Sequence, residues 1–162
     1  VLTHLGVRVY DPDDSYYHYN GFSIYKNKII QTCNGFTPWD IGEIKLEEKD
    51  KNKFVYFSNV GRGLHQLLQK WSEIKLAIPN ATLHVVGGSY KTDTSKNEVL
   101  SKYKKTYKED SSIIFVPKMP QQELYLYLKD AYLIAYPNQY QETFCISVLE
   151  SMYCGTPMVT SR

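Results

Sequence analysis

The chain has 162 residues, 43% of them hydrophobic, which is enough for one proper core and too few for two full domains. Nineteen basic against seventeen acidic residues leave a formal charge of +2, so no sequence-wide field draws the chain to nucleic acid or anionic lipid. Cys33, Cys145 and Cys154 are an odd set without C-x-x-C spacing, which fits free thiols in a reducing compartment better than a disulfide frame or a zinc site.

No apolar run approaches the roughly 18 residues that span a bilayer, and the opening VLTHLGVRVY lacks a basic leader followed by an apolar stretch. No transmembrane segment or targeting signal is expected. The expected location is the cytoplasm, with the full-length protein free or peripheral to a membrane. The chain opens without Met and closes on MVTSR after an apolar run that should lead into a further loop or helix, so it reads as a fragment of something larger.

Residues 1–52 read as a mixed interdomain segment and remnant of an N-terminal region. VYDPDDSYYHYNGF is turn-rich and aromatic, KIIQTC is a short β-like run, and EIKLEEKDKNK is a charged, solvated linker. From Lys53 onward, FVYFSN, TLHVVGG, SIIFVP, YLIAYP and PMVTS are short apolar runs ending in Gly, Pro, Asn or Ser, as strands buried on both faces should look. Between the first two, Leu64, Leu67, Leu68, Trp71, Ile74 and Ile78 recur at helical spacing until Pro79 and Asn80 stop them. Lys96 to Glu109 forms a second helical stretch, and Pro120 opens a third containing Leu124, Leu128 and Ala131. A fourth begins near Thr143, presents Cys145, Val148, Leu149 and Met152 on one face and Ile146 and Tyr153 on another, and ends at Gly155 and Pro157. Little of it is expected to face solvent.

Strand and helix alternate four times, the pattern of an α/β domain with a Rossmann-like parallel sheet flanked by helices. Residues 53–162 are expected to form it, truncated at its C-terminal end. Ligands of such sheets sit beyond the carboxyl ends of the strands, so the loops after Ser58, Val86, Val116 and Tyr136 should share one rim.

Two features of that rim carry chemistry. In SNVGRGLHQLL, Gly61 and Gly63 let the backbone come close to a ligand, a helix start offers amides, and Arg62 adds a permanent forked cation, a combination suited to phosphate. A tight βα turn with an exposed arginine accounts for the same residues, and the spacing is neither that of a P-loop nor G-x-G-x-x-G. In YQETFCISVLE, Glu142 and Glu150 stand eight positions apart, about 12 Å along a helix, the order of length of a nucleoside diphosphate with the group it carries. The amides of Phe144, Cys145 and Ile146 at the helix start could hold a diphosphate between the two carboxylates. The plainer alternative makes Glu142 a helix-start acid and Glu150 a structural hydrogen-bonding partner.

His65 and His84 read as a surface and a packed histidine rather than ligands, and no metal site is legible. SKYKKTYKED, basic with interleaved tyrosines, could stack on single-stranded bases, but a solvated amphipathic helix explains it and no nucleic-acid partner is expected.

The run from Glu142 to Glu150 followed by SMYCGTPMVTS resembles the E-x7-E motif and trailing E-(A/S)-M-A-x-G-x-P-V-V-x-S of group 1 glycosyltransferases, retaining enzymes of GT-B fold. RGLHQLLQKWSEIKLAIPNATLHVVGG and SIIFVPKMPQQELYLYLKDAYLIAYP are similar to the family's upstream motifs in the family's order, and KNKIIQTCNGFTPWDI resembles its interdomain K-x-x-V-I-x-N-G-V-D-x-x-x-F.

The resemblance implies the C-terminal, donor-binding half of such an enzyme. Glu142 would be catalytic, facing the transferred sugar. Arg62, with Gly61 and Gly63, and the amides of Phe144, Cys145 and Ile146 would hold the donor diphosphate; Glu150 would accept from the ribose hydroxyls; Val116, Pro117 and Lys118 would border the base. The implied partners are a nucleotide-sugar donor and a glycan, lipid or protein acceptor bound through an N-terminal domain missing from this chain. No cofactor and no metal are implied. A non-catalytic nucleotide-sugar-binding module and a GT-B epimerase or phosphorylase relative are the alternatives. Two departures stand out: Ser58 and Asn59 occupy the place of the family's usual G-R pair, removing one phosphate cation, and TFC follows Glu142 where many members have GFG.

Overall fold

The computed structural model describes residues 16–19, 22–25, 35, 37–87, 94–139 and 145–161, with the backbone alone described at 16–19, 22–25 and 94–96. Two compact units divide the chain, Val1–Gly35 with Gln141–Cys145, and Phe36–Tyr140 with Ile146–Arg162. In the first, β1 (Tyr16–Tyr19) pairs antiparallel with β2 (Phe22–Tyr25), Tyr16 opposite Tyr25.

The second unit is built on a five-stranded sheet. Its elements in chain order are β3 (Asp50–Tyr56), α1 (Leu64–Ala77), β4 (Thr82–Val86), α2 (Thr94–Thr106), β5 (Ile113–Val116), α3 (Gln121–Lys129), β6 (Ala131–Tyr136), α4 (Ile146–Tyr153) and β7 (Met158–Thr160). Every pairing is parallel and the order is β5-β4-β3-β6-β7. This is the expected Rossmann-like α/β architecture, with the direction of strand succession reversing between β3 and β6. Because all five strands run the same way, their following loops leave from one edge, as expected for a shared rim.

Alternation along β3 sends neighbouring side chains to opposite faces. Phe54 meets Trp71 of α1 edge to face, ring centroids 6.0 Å apart, whereas Lys53 lies 3.6 Å over the ring of Tyr127 on α3. His65 of α1 stacks on Tyr103 of α2, and Tyr125 of α3 packs against Tyr153 of α4. One face is thus covered by α1 and α2, the other by α3 and α4. The first is the apolar layer: Leu64, Leu67, Leu68 and Trp71 of α1 are all buried, as their helical spacing predicts.

Three local expectations differ from the structure. Ala131, expected inside the third helix, opens β6, because the helix ends at Lys129 and Asp130 turns the chain. Met152 is 70% exposed and Ile146 40%, so α4 shows solvent an apolar edge that its composition alone would bury.

The stretch 43–53, which reads as a charged, solvated linker, and residues 37–42 before it run within the same unit as the sheet, and Asp50–Lys53 already belong to β3. Tyr153 donates to Trp39 O at 2.6 Å, and Lys129 Nζ donates to Ile41 O at 2.7 Å. Ile44 lies on Gly155, where φ is +59° and a Cβ would come within 2.7 Å of Ile44 Cγ2. The buried Lys49 ammonium donates to Lys129 O (2.7 Å) and Thr156 Oγ1 (2.9 Å), holding a carbonyl that the end of α3 leaves without an intrahelical partner. Burial lowers the pKa of Lys49, opposed by nearby Cys154 and Asp130.

Candidate functional site at the strand-order reversal

Between β3 and β6 the crossovers depart to opposite sides, and in sheets of this kind ligands bind beyond the carboxyl ends of the strands at such a reversal. The β3–α1 turn lies at that edge. Asn59 Oδ1 accepts from Gly61 N–H (3.0 Å), and Asn59 O accepts from Arg62 N–H (2.8 Å). The Tyr56 hydroxyl, at the end of β3, lies 2.6 Å from Asn59 O and 2.9 Å from Arg62 O, so it ties the turn from beneath. Burial raises the pKa of this phenol, and nearby Tyr136 adds to the effect. It therefore stays a donor. Asn59 thus builds the turn through both its side chain and its carbonyl.

Gly63 caps α1 with φ +93°. A Cβ there would lie 2.1 Å from the Pro137 carbonyl oxygen, so this glycine lets the start of α1 press directly on the loop after β6. The close approach is made to protein backbone. Gly61 is exposed, and Arg62 is half-buried beside it. The loop after β6 is held further by Gln66 Nε2 donating to Gln139 Oε1 at 3.1 Å and by the Ser161 hydroxyl on Asn138 O. It is anchored up to the point where 140–144 begin.

Glu142 and Phe144 lie outside the described residues. Cys145 is half-buried and belongs to the smaller unit. Ile146 opens α4, whose first amides have no partner within the helix. Val116 ends β5, with its carbonyl accepting from Gly87 N–H at 3.0 Å; Pro117 and Lys118 follow, both exposed on the same rim.

Glu150 is one turn further along α4 and only 8% exposed. Its Oε1 accepts from Gln121 Nε2 (3.0 Å) and from the Tyr125 hydroxyl (3.2 Å), both on α3. Among the described residues nothing donates to Oε2. The charge of Glu150 also acts on its neighbours: burial and then this carboxylate raise the pKa of Tyr125, and the same two causes push the Cys154 thiol up to about 12. Tyr125 and Gln121 are absent from the residues singled out in the sequence. Their i, i+4 spacing on a helix opening at the rim is the available signal, and it gains meaning only once α3 is set beside α4.

Among the described residues no group of three or more His, Cys, Asp or Glu could hold a metal ion, and no helix is long and apolar enough to cross a membrane.

The parallel order β5-β4-β3-β6-β7 with helices on both faces is a Rossmann-like α/β fold, the class of fold found in GT-B glycosyltransferases. A family profile, Glycosyl transferases group 1, matches residues 39–162, and the chain belongs to that family. Among solved structures it is similar to the pneumococcal O-GlcNAc transferase GtfA in complex with UDP and GlcNAc (12% identity, TM-score 0.56, 70% of this chain and 21% of that one). It is similar also to Anabaena HepE in complex with UDP and glucose (19%, 0.53, 71% and 30%) and to a variant of S. aureus TarM in complex with fondaparinux, alpha-GlcNAc-glycerol and UDP (16%, 0.57, 75% and 24%). At these identities the likeness is one of fold, and the chain spans 21 to 30% of the length of those proteins. Among curated protein sequences none matches.

Proposed function

We propose that this chain is the donor-binding half of a glycosyltransferase that moves a sugar from a nucleoside diphosphate to an acceptor with retention of configuration. The observation that carries the proposal is Glu150, a buried carboxylate at the strand-order reversal with one oxygen held by α3 and the other without a donor among the described residues. A buried acceptor in that state is costly unless a ligand completes it. Ribose hydroxyls meet the need, and the nucleotides bound by the similar structures carry them.

Arg62, the amide of Ile146 that opens α4 and the amides of Phe144 and Cys145 that precede it in the chain hold the diphosphate; Gly61 keeps the turn open beside it and Gly63 sets α1 against the neighbouring loop. Val116, Pro117 and Lys118 border the base. In the transfer, the bond from the anomeric carbon to the diphosphate oxygen breaks with its electron pair going to the diphosphate. The acceptor oxygen bonds to the same face of the carbon and its proton is released. Charge grows on the departing diphosphate, where a guanidinium and fixed amides stabilise it without a metal ion. Glu142 faces the sugar and supports the oxocarbenium-like state. A glycan, lipid or protein acceptor binds through a separate N-terminal domain, so this chain alone binds donor weakly and transfers little. The cytoplasm is the proposed location.

Calorimetry with a panel of nucleotide sugars tests the reading. Saturable binding of at least one, weakened tenfold or more by Arg62→Ala and by Glu150→Ala, is expected from the loss of charged hydrogen-bonding partners. Binding without turnover in the full-length protein points to a non-catalytic module, and no binding by any member of the panel rejects both readings.

A further inference from the structure

Gln121, Tyr125 and Glu150 form a closed triangle. Gln121 Nε2 donates to the Tyr125 oxygen at 2.9 Å and to Glu150 Oε1 at 3.0 Å, while the Tyr125 hydroxyl donates to the same Oε1 at 3.2 Å. A carboxylate oxygen has two lone-pair positions, and both on Oε1 are taken. Tyr125 is fully buried and wedged against Tyr153 at 5.7 Å between ring centroids, so its hydroxyl has little freedom to turn away. Burial, with the adjacent negative charge, raises the pKa of this phenol, which keeps its proton across the physiological range.

Here the ligand can use Oε2 alone, at an angle fixed by α3. We propose that Gln121 and Tyr125 are positioning residues that reserve Oε2 of Glu150 for the hydroxyls of a nucleoside diphosphate, making α3 a determinant of ribose selectivity. The inference rests on the donor-binding reading of Glu150.

The test compares the affinities of uridine, guanosine and adenosine diphosphates with those of their 2′,3′-dideoxy counterparts, on the full chain and on its Tyr125→Phe and Gln121→Leu variants, each checked for native circular dichroism. Gln121 is exposed at the start of α3, so its replacement keeps the test open if the buried tyrosine proves intolerant. The unaltered chain should favour the ribonucleotide about tenfold, the scale of one hydrogen bond to a charged group. Either variant should shrink that preference to about threefold or less by weakening the ribonucleotide and sparing the dideoxy form. A structural role alone would weaken both ligands equally and leave the ratio unchanged, which overturns the positioning role while the donor-binding reading stands. Failure of the unaltered chain to bind any of the three diphosphates overturns both.

Discussion

The two faces of the sheet are filled by different chemistry. Under α1 and α2 the contacts are apolar and aromatic, centred on Trp71, 1% exposed, whose indole N–H finds Ser112 Oγ at 2.9 Å. Under α3 and α4 the buried side chains include Lys49, Lys53, Glu150, Ser151 and Thr156, each engaged by a hydrogen bond. His84 belongs to this layer. One ring nitrogen faces the Tyr127 hydroxyl and the other lies 3.1 Å from Thr82 Oγ1, which itself donates to Asn52 O. With the threonine proton so committed, His84 Nε2 is the donor and Tyr127 donates to Nδ1. The lesson is that one layer supplies stability by burial, while the other fixes the orientation of α3 and α4, the helices that carry Glu150 and its partners.

The largest expected effect lies in the apolar layer. Trp71→Ala should remove about 4 kcal/mol from the unfolding free energy measured in urea, through lost burial and the cavity left behind. Gly63→Ala comes next, at about 3 kcal/mol, because the new Cβ meets the Pro137 carbonyl and the left-handed backbone penalises any side chain; its nucleotide affinity should fall with its stability as the loop after β6 is displaced. Lys53→Met sharpens the contrast: relief of a desolvated ammonium should nearly offset the hydrogen bond lost at Tyr127 O, leaving a change below about 1 kcal/mol. A loss as large as that of Trp71→Ala would erase the distinction between the layers.

The smallest effect is a pH dependence. Burial, and then the Lys53 charge, lower the His84 pKa from its usual 6.5, with Asp50 opposing. The unfolded chain therefore takes up the proton first on acidification, and stability should decline as pH falls below 6.5 toward the lower folded value, then level off with respect to this residue. His84→Gln should flatten that part of the stability profile. An unchanged slope would show that the ring titrates as freely in the folded chain as in the unfolded one.

The apolar layer was legible in the sequence because hydrophobic spacing reports it directly: Leu64, Leu67, Leu68 and Trp71 predict α1, and the five short apolar runs predict the five parallel strands. His84 could be read as a packed histidine from its place within a strand. The polar layer was hidden, since Lys49 and Lys53 sit in a run, EEKDKNK, that periodicity assigns to solvent. Their burial follows from long-range partners, Thr156 and Tyr127, that no local window contains. The sequence suggests that Gly63 lets the backbone approach a ligand, whereas the structure sets it against the Pro137 carbonyl, a partner no local window contains. The hairpin signal lay in Asn20-Gly21 between two aromatic runs, and a turn-rich reading passes over it.

A crystal structure with uridine diphosphate bound tests the central claim most directly. The account predicts the diphosphate beyond the carboxyl ends of β3 and β6, beside Arg62 and the start of α4, with a ribose hydroxyl within hydrogen-bonding distance of Glu150 Oε2 while Gln121 and Tyr125 remain on Oε1. A nucleotide bound elsewhere, or bound there with Glu150 still contacting only α3, would contradict it.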